Sequence, residues 1–99
     1  MTVAPEDCAS MADIREGIDD LDRRIVALLA ERMRYIEAAA RVKTDRDAVR
    51  DEWRKADVIG KARAAARANG LDDMLVADLY ELLVERSIAH EFVKFDALG

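Results

Sequence analysis

Apolar residues at Ile14, Ile18, Leu21, Ile25 and Leu28 are spaced 4-3-4-3, the period of a helix packed along a seam. Ser10 or Asp13 can cap its start. With polar interruptions the pattern continues through Tyr35, Ala39 and Val42, and nothing weakens it before about Lys43, where Thr44, Asp45 and Asp47 follow. Thirty-odd helical residues extend about 48 Å at 1.5 Å per residue, whereas a compact 100-residue domain has a radius of gyration of about 13 Å. Such a helix projects beyond a compact monomer and leaves its apolar stripe in water. Two chains that each cover the other's long helix resolve this, so an intertwined helical-bundle homodimer is predicted on geometry alone.

Residues 1–10, with Pro5 and Ser10, read as an irregular lead-in. A second helix is predicted over 51–68, ended by Asn69-Gly70, a strong C-cap signal. Asp72 or Asp73 then caps a third helix over 73–96, with Leu75, Leu79, Leu82 and Leu83 on its apolar side. No stretch alternates cleanly with period two. The fold class is therefore all-α, three helices in a single domain over 1–99.

Apolar residues make up 52% and charged residues 37% of the chain, a mixture typical of mostly helical proteins. With two Phe, two Tyr and one Trp, the core must be aliphatic. No apolar run approaches the roughly 18 residues that span a bilayer. The start, MTVAPEDCAS, lacks the basic and apolar regions of a secretory signal, and Cys8, the lone cysteine, suggests a reducing compartment. A cytoplasmic location is expected. The net charge of −5 argues against a nucleic-acid partner, because phosphate binding needs a basic surface. Any cationic cluster is therefore local and informative.

Arg32 falls in the seam of the first helix, where the 14-18-21-25-28 series calls for another aliphatic residue. Its helical neighbours Leu28, Leu29, Tyr35 and Ile36 include no carboxylate. Buried, its guanidinium would need an anion from another helix or from a ligand. On the seam's edge it could instead snorkel, its stem packed and its head wet. Lys43 lies eleven residues on, about 20° around the axis and about 16 Å along it, so both side chains could converge on one small anion. Arg15 lies about 25 Å and about 100° from Arg32; it could serve a site only on a partner chain, or simply pair with Asp19 on the surface.

The run "ADIREGIDDLDRRIVALLAERMRYIEAAARVK", followed by "VRDEWR", "NGLDD" and "ERSIAHE", resembles the all-helical chorismate mutase family over about residues 5–95. The lead-in "PEDC" with "ADIRE" is more similar to its isochorismate pyruvate lyase branch. The resemblance implies intertwined dimers with two shared active sites and no cofactor. It also implies that Arg15 reaches into the partner's site, Arg32 grips a substrate carboxylate, and Lys43 stands at the ether oxygen of the enolpyruvyl group. Arg54 matches a further carboxylate-binding arginine, and Asp51 a neighbouring aspartate whose backbone lies near the ring hydroxyl. Ser87 and Glu91 fall on matching positions of the third helix, one turn apart.

The implied reaction is pericyclic and requires no nucleophile, metal or redox group, in keeping with a chain that has one Cys and one His. His90 points about 100° away from Glu91 and reads as structural or exposed. Two positions depart from the family pattern. Many members carry Gln where Glu91 stands, and a Glu can donate a hydrogen bond to the ether oxygen only when protonated. Burial favours that form and Lys43 opposes it, so activity is expected to fall as pH rises. Lys55 stands where typical mutases carry a Glu that binds the ring hydroxyl. "VRDEWR" and Glu91 lean towards rearrangement of chorismate to prephenate; "PEDC" and Lys55 lean towards elimination of pyruvate from isochorismate to give salicylate. The mutase is the leading expectation. A non-catalytic helical dimerisation module is the remoter one, disfavoured by four retained cations at Arg15, Arg32, Lys43 and Arg54.

Overall fold

The computed structural model describes residues 2–99. Three helices form: α1 over Met11–Val42, α2 over Glu52–Ala68 and α3 over Asp73–Ala97. Two short 3-10 turns, Pro5–Asp7 and Arg46–Ala48, precede α1 and α2. The first lies in the lead-in expected to be irregular. The second was not expected, and it comes from Asp45, whose side chain accepts the amide of Asp47 at 2.9 Å.

Local chemistry sets the start of each helix and the end of α2. Ser10 Oγ accepts the amide of Asp13 at 3.1 Å, while Asp13 Oδ2 accepts the amide of Ala9 at 3.0 Å. Both expected capping residues of α1 thus act together, as a reciprocal capping box. Asp51 caps α2 by accepting the amide of Arg54 at 3.0 Å, and Asp72 caps α3 through the amide of Met74 at 2.9 Å. At the end of α2, Gly70 takes φ 68°, which a side chain would make costly. That turn lets the amide of Leu71 reach Ala66 O at 2.8 Å and that of Gly70 reach Arg67 O at 3.2 Å, the paired bonds of a Schellman motif.

The chain divides into two compact units, one ending at Arg34 and the other covering Tyr35–Gly99. In the second, Val49, Val84 and Ile88 form a buried cluster packed by Val58, Ile59, Tyr80, Phe92 and Phe95. Across the Asn69-Gly70 turn, Asp73 accepts from Arg63 at 2.8 Å and from Arg67 at 3.0 Å, bracing α2 against α3. In the first unit the whole 4-3-4-3 stripe is exposed, from Ile14 at 38% to Leu28 at 63%. Leu75, Leu79, Leu82 and Val93 of α3 are also exposed. Among the described residues, no helix is long and apolar enough to cross a membrane.

Candidate active site

Lys43 is the first residue beyond α1, and its amide still closes a helical bond to Ala39 O at 3.0 Å. Its ammonium donates to Glu91 Oε2 at 2.6 Å. The two come from opposite ends of the second unit's sequence. Glu91 is buried and Lys43 half-buried. A charged group taken from water needs such a partner, because an ionised carboxylate in a low-dielectric interior is otherwise very costly. Ser87, one turn earlier on α3, is also buried, and its hydroxyl donates to Leu83 O at 2.7 Å. Lys43, Glu91 and Ser87, singled out from sequence, therefore share one neighbourhood.

The other candidates behave differently. Asp51 spends its carboxylate on capping α2. Arg54 is exposed and donates to Asp57 at 2.6 Å, one turn along its own helix. Arg15, exposed, and Arg32, half-buried, belong to the first unit. His90, read as structural or exposed, is half-buried with Nε2 2.7 Å from Glu37 Oε2. The His90 hydrogen bond, assisted by the cations of Lys94 and Arg41, holds the Glu37 carboxyl below the usual glutamate value. A second contact thus ties the end of α1 to α3 beside the Lys43–Glu91 pair.

Sequence reasoning missed the ion-pair network on the other side of Ser87. Glu85 accepts two bonds from Arg50, at 2.9 and 3.1 Å, and one from Lys55 at 2.9 Å. Lys55 also donates to Glu81 at 2.7 Å. The departure at Lys55 thus has a structural use: it joins α2 to α3. No spacing rule could have found these pairs, since Arg50 and Glu85 are 35 residues apart. The hydrogen bond from Arg50, then that from Lys55, holds the Glu85 carboxyl down from 4.5 to about 2. A lowered acid pKa contributes stability above the unfolded value and loses it as pH falls towards the folded one. Acid unfolding followed by circular dichroism should therefore show stability declining between about pH 4.5 and 2, and Glu85→Gln should flatten that interval.

The chorismate mutase type II family matches residues 14–92. Isochorismate pyruvate lyase of Pseudomonas aeruginosa is 39% identical over 87 residues, covering 88% of this chain and 86% of that protein. The bifunctional chorismate mutase/prephenate dehydratase of Buchnera aphidicola is 30% identical over 81 residues, which are 81% of this chain and 21% of that protein. Three helices, a half-buried lysine on a buried acid and matches of this extent make the chain a member of the chorismate mutase type II family.

Proposed function

We propose that the protein is a cofactor-free pericyclic enzyme that rearranges chorismate to prephenate. The observation that carries this reading is the contact of Lys43 with buried Glu91, a turn from buried Ser87. A pericyclic step needs a reactive conformer held in place and charge stabilised on the breaking C–O bond. Lys43 supplies a cation for the ether oxygen, with Glu91 beside it. Arg32 and Arg54 bind the two carboxylates, Asp51 lies near the ring hydroxyl, and Ser87 completes the wall. A single family domain spans both units, consistent with a match that crosses the boundary at residue 34.

The active form is a homodimer with two shared sites, in which the partner subunit's Arg15 reaches the substrate. The exposed stripe of α1 supports this, since aliphatic residues at that spacing are stabilised only when covered.

Elimination of pyruvate from isochorismate, giving salicylate, is the second reading. It is favoured by the 39% identity to the Pseudomonas lyase and by Lys55, held by Glu81 and Glu85. Incubation with each substrate separately, following chorismate by absorbance and salicylate by fluorescence, distinguishes the two. Turnover of neither substrate would leave a helical dimerisation module. Lys43 donates to Glu91 at 2.6 Å, and the paired carboxylate offers no hydrogen-bond donor to the ether oxygen. Glu91→Gln, whose amide can donate to that oxygen, is therefore expected to keep or raise turnover. Turnover abolished by Glu91→Gln in a protein that still folds would refute this role of Glu91.

A further inference from the structure

The connection from Lys43 to Asp51 lies on α3 by more than the Lys43–Glu91 contact. Arg46, three residues after Lys43, donates through Nε and Nη2 to the two oxygens of Asp96, at 2.9 and 3.2 Å. The same guanidinium stacks 4.5 Å from the centroid of Phe92, and that ring packs against the buried Val49, Val84 and Ile88. Val49 is itself part of the connection, held by a bond from its amide to Arg46 O at 3.1 Å. Arg46 therefore joins a surface carboxylate, a ring anchored in the core and the turn that follows Lys43.

A two-bonded arginine–carboxylate grip fixes geometry as well as distance, and the stacked ring adds a second constraint on the same plane. We propose that Arg46 is a positioning residue: it keeps the backbone at Lys43 in place when the lysine releases Glu91 to take substrate. The inference rests on the catalytic role proposed for Lys43. A lysine that had to carry its chain along on releasing its partner would lose the alignment on which rate depends, and displacements of about 1 Å can cost about 100-fold. Arg46 and Asp96 are each about half exposed, so solvent screening moderates the effect.

The first test needs no turnover. Exchange of the amides of Lys43, Ala48 and Val49, which donate to Ala39, Asp45 and Arg46, is measured in Glu91→Gln, where the Lys43 ion pair is gone. Protection is expected to stay within about twofold of wild type, and to drop about tenfold when Arg46→Ala is added. In otherwise wild-type protein, Arg46→Ala and Asp96→Asn should each lower kcat about tenfold and move KM by less than about threefold. Arg46→Lys, which keeps the charge but loses the paired bonds and the planar stack, should recover only part of the rate. Unchanged exchange at Lys43 in the double variant would overturn the proposal, as would a lowered Tm with unaltered kcat. A wild type inactive on both substrates would overturn the proposed function instead, and the exchange comparison would still decide whether Arg46 holds Lys43.

Discussion

Lys43→Ala is expected to lower turnover by about three orders of magnitude, the upper range for loss of one group that stabilises developing charge. It should also destabilise the fold, because Glu91, 4% exposed, loses the ammonium at 2.6 Å. Breaking a fully buried pair costs about 3–5 kcal/mol. The Lys43 side chain is 29% exposed, so water softens the loss, and about 2 kcal/mol is expected at pH 7. The two effects separate in a second variant. Lys43→Ala with Glu91→Leu removes the stranded carboxylate and should restore stability to near wild type, with turnover still absent. Denaturant unfolding at fixed protein concentration, paired with kinetics, measures both. Recovery of turnover along with stability would mean that the pair is only a structural tie.

Ile25→Glu should abolish both dimerisation and turnover. Ile25 is half-exposed within the α1 stripe, so the substitution costs the isolated chain little. Against a second copy it would bury a carboxylate in an apolar seam. Each aliphatic side chain fully covered contributes about 1.5–3 kcal/mol, and the stripe supplies five per chain, from Ile14 to Leu28. Light scattering should give twice 11.1 kDa for wild type and one chain's mass for the variant. Helix content should fall as well, since a long helix without a covered face is marginal in water. Ile25→Leu, nearly equal in volume, should keep mass and turnover. A wild type that is monomeric and active would sink both the dimer and the role of the partner subunit's Arg15.

The helices were legible in the sequence because their determinants are local. Ser10, Asp13, Asp51 and Asp72 bond amides within four residues, and Asn69-Gly70 ends α2 through its own preceding turn. Periodicity does not separate partners, however: the same 4-3 spacing marks the α1 stripe, exposed in this chain, and says nothing of what covers it. Asp51 shows a further limit. The resemblance marks Asp51 as a family site residue, and only the tertiary structure shows its carboxylate engaged in capping α2.

By itself, the sequence determined three helices, their caps and stops, and a family pattern that brought Lys43, Ser87 and Glu91 to attention. The tertiary structure decided which charges meet. Lys43 with Glu91, Arg46 with Asp96, Arg50 with Glu85 and Glu37 with His90 are separated by 48, 50, 35 and 53 residues. A helix repeats every 3.6 residues and specifies only the face a side chain occupies. Which distant side chain faces it depends on how the 43–51 connection crosses α3, and the burial of Val49 against Val84 and Ile88 sets that crossing.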